Sequence, residues 1–286
     1  MSLSPVSPPP QVRCRQIKPA DLEAVADLLT RGFPAKPRKY WTTALGRLSR
    51  RGAPEGCPRI GYLLEADGQV VGALLLIFSE PGGQVRCNLS SWYVVPEHRA
   101  HAAVLAAMAT KLKHVTYINT SPAPHTWPIL KAQGYVQYSA GQFLALPALG
   151  RGRGRARRLS HGRADRLLPE YDLLRSHAEA GCEVLVCDTS AGAIPFVFLR
   201  RRIARGALPA MQLIYARSTA SFATCAAPLG RFLAMRGAPF VICDADTAVP
   251  GLPGLIFKER GPRFFKGPAR PRQNDLAFTE MVVFGP

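Results

Sequence analysis

Apolar residues recur at helical spacing over Leu22, Val25, Ala26 and Leu29. Asp21 stands ahead of them, where its charge suits the helix dipole, and Gly32 closes the run, so a first helix is predicted here. Residues 40–51 predict a second helix. Two apolar runs, 61–66 and 70–78, are joined by Asp67-Gly68, a strong hairpin signal. A third strand is predicted over 85–95, after Pro81-Gly82-Gly83. Residues 101–112 read as a helix with Leu105, Met108, Ala109 and Leu112 on one face. A short strand over 115–119, a short helix over 126–133 closed by Gly134, and a strand over 135–146 complete the first half.

The second half repeats this outline. A helix is predicted over 167–180, then strands over 183–188 and 194–201 around a glycine-containing turn. A strand over 211–216, a helix over 221–236 and a strand over 239–243 follow, and 278–284 reads as a last strand. Residues 92–119 and 213–244 share one order: strand, arginine-bearing turn, alanine-rich helix, short strand. That echo predicts a degenerate internal duplication. Hairpins mixed with a parallel crossover define an α/β chain whose sheets are mixed and mostly antiparallel, flanked by helices.

Composition adds the boundaries. The chain has 286 residues, 47% of them hydrophobic, enough for two domains of roughly 140 residues. The stretch Gly150-Arg-Gly-Arg-Gly-Arg-Ala-Arg-Arg158 cannot build a core. The expected organisation is a disordered Pro/Ser-rich lead-in at 1–12, a domain at 13–148, a basic linker at 149–166 and a second domain at 167–286. Residues 1–10 lack the apolar core of a secretion signal, and no window is long and apolar enough for a membrane span. The seven cysteines form no Cys-x-x-Cys pair, which argues against a zinc site or a disulfide framework. Free, buried cysteines in a reducing cytoplasm are the expectation, with no metal. A formal charge of +18, with seven arginines and one aspartate between Arg151 and Arg166, favours anionic ligands: nucleic acid, acidic lipid headgroups or phosphorylated cofactors.

Candidate chemistry concentrates in Trp92-Tyr-Val-Val-Pro-Glu-His-Arg-Ala-His-Ala-Ala-Val-Leu105. Pro96 ends the strand. Arg99 lies in the turn, and Ala100, Ala102 and Ala103 are small enough for a phosphate to approach the backbone. The first N–H groups of a helix have no intrahelical partners and its dipole favours negative charge, so this turn reads as an anion seat. Arg99 adds a bidentate donor fork.

These residues resemble the GNAT N-acyltransferase superfamily, whose signature is a strand, then Val-x-Pro-x-x-Arg/Gln-Gly-x-Gly-x-Gly/Ala, then a helix. Val94, Pro96 and Arg99 match in spacing, while Ala100, Ala102 and Val104 replace the glycines. Gly134-Tyr135 matches a later Gly-Phe or Gly-Tyr landmark, and the opening helix also fits, so the resemblance covers about 13–147. It implies tandem GNAT-like domains, the second degenerate. It also implies that acetyl-CoA or another acyl-CoA binds with its pantetheine against the backbone of Tyr93, Val94 and Val95. Its pyrophosphate would lie on the amides of Arg99, Ala100, His101, Ala102, Ala103 and Val104. Asn119 matches a position that often contacts pantetheine. A general-acid tyrosine expected four residues before Gly134 is replaced by Leu130.

Candidate bases are Glu80, Glu97 and His125, with Glu80, His125 and Asn119 chosen as catalytic; Tyr93 and Tyr138 are candidate acids. Asn88, Ser90 and Trp92 alternate onto one strand face and are candidates to line an acceptor pocket. The corresponding turn of the second half holds Arg217 and the bulky Phe222, which argues against a second cofactor site. The leading function is an acyl-CoA-dependent N-acyltransferase. It would pass an acetyl or other acyl group to a small-molecule or peptide amine by direct attack in a ternary complex. The alternatives are an aminoacyl-tRNA-dependent transferase of tandem-GNAT type, in which the charge serves nucleic acid (the less favoured partner), and a non-catalytic acyl-CoA-binding module.

Overall fold

A computed structural model of the chain describes residues 11–160, 162–204 and 206–285. Most of the expected lead-in, residues 1–10, lies outside the described residues, and Val12 already belongs to a strand. The described residues form two compact units, divided between Val115 and Thr116.

The first unit contains β1 (Val12–Gln16), α1 (Leu22–Gly32), α2 (Arg38–Arg50), β2 (Gly61–Ala66), β3 (Gln69–Ser79), β4 (Arg86–Val94) and α3 (Ala102–Ala109). Its strands pair antiparallel in the order β1-β2-β3-β4. Asp67 and Gly68 both take positive φ, 49° and 78°, which matches the right-handed twist of the strands they join. β1 was not expected as a strand, because its arginines mask a short edge. α1 buries Val25, Ala26, Leu28 and Leu29. It ends at Gly32, where a Cβ would lie 2.4 Å from the Tyr93 ring.

The second unit contains β5 (Thr116–Asn119), α4 (Trp127–Ala132), β6 (Val136–Ala145), β7 (Arg155–Arg158), α5 (Arg163–Arg166), α6 (Tyr171–Glu179), β8 (Glu183–Thr189), β9 (Gly192–Ile203) and β10 (Leu208–Ala216). It continues with α7 (Thr219–Thr224), α8 (Ala226–Ala234), β11 (Phe240–Asp244), β12 (Gly254–Lys266) and α9 (Glu280–Val283). Its sheet order is β5-β12-β6-β11-β10-β9-β8-β7. β12 from the second half of the chain thus lies between β5 and β6, and β6 pairs with β11. The two halves exchange their last strands. That exchange places the division between compact units at 115/116, whereas composition had suggested 149–166. The expected linker is ordered: Arg155–Arg158 pairs with β8. The expected strand at 278–284 is instead the helical turn α9, which buries Val282 and Val283; so short an apolar run does not distinguish the two states by period.

Alternation along β9 builds two cores. Phe196 and Phe198 face one, with Phe143, Leu213, Phe222 and Leu229. Val197 and Leu199 face the other, with Leu174, Ile214, Leu276 and Val282.

The duplication is written in one repeated ion-pair clasp. On β1, Arg15 donates to both oxygens of Asp21 (2.7 and 2.9 Å) and to Glu65 on β2 (2.9 Å). On β7, Arg157 donates to both oxygens of Asp165 (2.8 and 2.7 Å) and to Asp188 on β8 (2.7 Å). In each clasp the aspartate also accepts a backbone N–H at 2.7 Å, from Lys18 in one and Ser160 in the other. β4 and β10 each carry a register shift, with Ser91 at φ 55° in the first.

Candidate active site

β4 is held to its end by the Val95 N–H donating to Val71 O at 2.9 Å. Pro96 removes the next donor, and the chain turns through a 3-10 segment, Pro96–His101, directly into α3. The His98 N–H donates to Val95 O (3.0 Å) and that of Ala102 to Arg99 O, so the Ala102 amide is engaged within the turn. No side chain caps either helical start. Arg99, Ala100, Ala103 and Val104 are exposed, and no ion pair of Arg99 occurs among the described residues. Nδ1 of His101 is buried in the same turn with no hydrogen-bond partner among the described residues. An exposed guanidinium, an uncapped helix start and an orphaned buried ring nitrogen together fit an anionic group such as a pyrophosphate.

Upstream of the turn, Val94 is buried against Gly72, and Tyr93 pairs with Ala73. The Tyr93 ring packs on Gly32 and lies 6.2 Å from Phe33. The bulge at Ser91 breaks the expected alternation of Asn88, Ser90 and Trp92: Asn88 and Ser90 are buried, while Trp92 is half-buried. Glu80 is exposed just before the turn at Pro81–Gly83, and Glu97 is exposed as well.

In the second unit Asn119 ends β5, half-buried and in register with Phe264 of β12. The next two residues hold a carboxylate that local reasoning had no means to find. Thr120 Oγ1 and Ser121 Oγ donate to Glu280 Oε1 at 3.0 and 2.6 Å, across about 160 residues of chain. His125 is exposed in the turn Pro124–Thr126. Leu130 is buried, and its carbonyl accepts the Tyr135 N–H at 3.0 Å; it is a core residue of α4. Tyr138 is buried, edge-on to Phe265.

The corresponding turn of the second half is closed by its own residues. Arg217, which follows β10, is paired with Glu170 through bonds of 2.6 and 3.0 Å. Ser218 and Ser221 form a reciprocal cap on α7. Phe222 is fully buried against Phe196 and Phe198, with ring centroids 6.2 and 6.3 Å apart. β10 and β11 run parallel and pair only over Ala210–Gln212 and Phe240–Ile242. Beyond that point residues 274–276 fill the widening space. The Ala216 N–H donates to Asn274 O (3.0 Å) and the Leu276 N–H to Ile214 O (2.7 Å). The Asn274 side chain bonds the backbone of Asp244 on β11.

Asp244, buried at the end of β11, pairs with the equally buried Arg263 through two bonds of 3.1 Å. It occupies the place in its half that Asn119 holds in the first.

The fold is that of the GCN5-related N-acetyltransferases. A candidate acetyltransferase from Pyrococcus horikoshii is similar over 93% of both chains, with a TM-score of 0.56 and 13% identity. A GCN5-related N-acetyltransferase from Anabaena variabilis is similar over 89% of this chain and 72% of its own (TM-score 0.54, 11% identity). One from Kribbella flavida is similar over 90% and 71% (TM-score 0.53, 15% identity). No family model and no curated protein matches the sequence. No helix among the described residues is long and apolar enough to cross a membrane.

Proposed function

We propose that the chain is an acyl-CoA-dependent N-acyltransferase, with the donor's phosphates held at the turn 96–104. One observation carries this reading: of the two arginines in corresponding turns, Arg217 is neutralised by Glu170 and its helix is capped, whereas Arg99 is exposed at an uncapped helix start. A charge kept without a partner at a helix N-terminus suits a phosphorylated ligand. Solved proteins named as N-acetyltransferases share the fold, which supports acyl transfer to an amine as the reaction class.

The reaction asks little of the protein. A neutral amine attacks the thioester carbonyl; the tetrahedral oxyanion collapses and expels the thiolate, and the amine's proton passes to a base. Holding both reactants together removes several kcal/mol of entropic barrier, roughly, and a base within hydrogen-bond reach adds to that. Glu80, His125 and Asn119 are the residues proposed for catalysis, Asn119 also for donor binding, and Leu130 supplies no acid. The second half, with its turn closed, serves as scaffold, so one donor binds per chain.

Titration calorimetry with acetyl-CoA and a longer acyl-CoA tests the reading. Binding at one site per chain, lost in Arg99→Glu and kept in Arg217→Ala, is the expected result. Absence of binding by either donor overturns it. Donor binding without thiol release across a broad amine panel reduces the protein to a binding module.

A further inference from the structure

The basic stretch has a side that the acyl-transfer reading does not use. Its three glycines stand where neighbouring atoms leave little room for a side chain. A Cβ on Gly152 would stand 2.4 Å from Thr224 O, and one on Gly154 would stand 2.4 Å from Asp188 O. On Gly150 a Cβ would lie 3.1 Å from Pro147 O. Backbone bonds pin the segment: the Gly150 N–H to Pro147 O, the Ala227 N–H to Arg151 O, and the β7–β8 ladder from Arg155 onward. Arg151, Arg153 and Arg155 are all exposed.

Two further arginines show that this presentation is selective. Arg157 and Arg158 are paired with Asp165, Asp188 and Glu183. Arg151, Arg153 and Arg155 have no ion pair among the described residues. Three guanidinium groups on five consecutive residues, the last opening β7, set several phosphate-binding forks along one short stretch of chain. Beside the row lies a cleft of about 460 Å³, lined by Arg155, Ala156, Pro228, Arg231, Phe232 and Met235. Arg231 is exposed at its edge, and the guanidinium of Arg236 stacks 3.6 Å over the Phe232 ring.

We propose that this row and cleft form a binding site for a single-stranded polynucleotide: the arginines track its phosphates and the cleft takes a base. Guanidinium forks match phosphate oxygens bidentately. A cationic track beside an apolar, aromatic recess is how non-specific single-strand sites are built. The arginines border a recess lined mainly by apolar side chains, which suits a strand carrying planar bases better than a flat bilayer. An acidic peptide would meet the same charges but has no planar base for the recess. This proposal does not rest on the acyl-transfer reading.

Fluorescence anisotropy of the full-length protein with labelled U12 and dT12 oligonucleotides tests it. The variant is Arg151→Glu/Arg153→Glu/Arg155→Glu. The control, Arg163→Glu/Arg200→Glu/Arg201→Glu, makes the same charge change on other exposed arginines. Circular dichroism melts confirm that both fold. The row variant should weaken binding at least tenfold relative to the control. It should also flatten the plot of log affinity against log salt by about 2, since three phosphate contacts contribute roughly 0.7 each on a single strand. Equal weakening by both triples, or no binding at low salt, overturns the proposal. Tighter binding to anionic vesicles or to polyglutamate than to either oligonucleotide overturns it as well.

Discussion

The side chain of Asn274 brackets the backbone of Asp244: its oxygen accepts the Asp244 N–H at 2.7 Å, and its nitrogen donates to the Asp244 carbonyl at 3.0 Å. One side-chain amide thus does for β11 what a neighbouring strand would do, at the point where β10 has moved away. Asn274 is fully buried at φ 60°, and its amide also reaches Thr219 at 2.9 Å. Replacing it with alanine strands a buried N–H, and asparagine is among the few side chains that tolerate this backbone region. Asn274→Ala should cost about 2–3 kcal/mol in urea unfolding, with faster hydrogen exchange at the Asp244 amide. A loss under about 0.5 kcal/mol, within the range of an ordinary surface change, would show that the bracket is not needed.

The corresponding arginines separate function from stability. Arg99→Glu should weaken acyl-CoA binding by at least tenfold, with little change in the melting temperature, because its side chain is exposed. Arg217→Ala should leave binding intact and lower stability by roughly 1 kcal/mol, as a half-exposed pair with Glu170 is lost. The same two variants compared in calorimetry and in thermal melts check both statements.

Acid should weaken the second unit through Asp165. Hydrogen bonds from Arg157, reinforced by the N–H and hydroxyl of Ser160, hold its carboxyl down at about 2, against an ordinary value of 3.8. Between these values the unfolded chain binds a proton that the folded chain does not. The stabilisation is therefore complete above about pH 4 and lost as pH falls toward 2. Its full size is about 2 kcal/mol. Urea midpoints between pH 5 and 2 should fall less steeply in Asp165→Asn than in the natural chain.

Two arginine–carboxylate pairs of the second unit differ in burial and should differ in cost. Arg263 and Asp244 are 2% and 0% exposed, so Arg263→Ala leaves a buried carboxylate uncompensated, at about 3–5 kcal/mol. Arg158, 64% exposed, pairs with Glu183, and Arg158→Ala should cost about 0–1 kcal/mol. Matched urea titrations of the two variants measure the difference. Similar losses would mean that the buried pair is relaxed by solvent.

What the sequence determined by itself was local. Asp67-Gly68 dictates a hairpin because both residues accept positive φ. The run from Trp92 to Leu105 dictates strand, turn and helix because proline ends pairing, and the apolar period then changes. The echo of that order in the second half, with the bulky Phe222 in the turn where a small residue would be needed, followed from the same short-range signals. Only the tertiary structure decided β12, whose residues 258–260 are charged and whose Leu255 is 64% exposed. It is a strand because β5 and β6 supply hydrogen-bonding partners on its two sides, which overrides its weak pattern. The tertiary structure likewise turned an expected linker into an ordered edge with three arginines facing out. Asn274 bonding Asp244, and Glu280 meeting Thr120 and Ser121, join residues 30 to 160 positions apart. No periodicity encodes such contacts, because they join residues far apart along the chain that only the folded topology brings together.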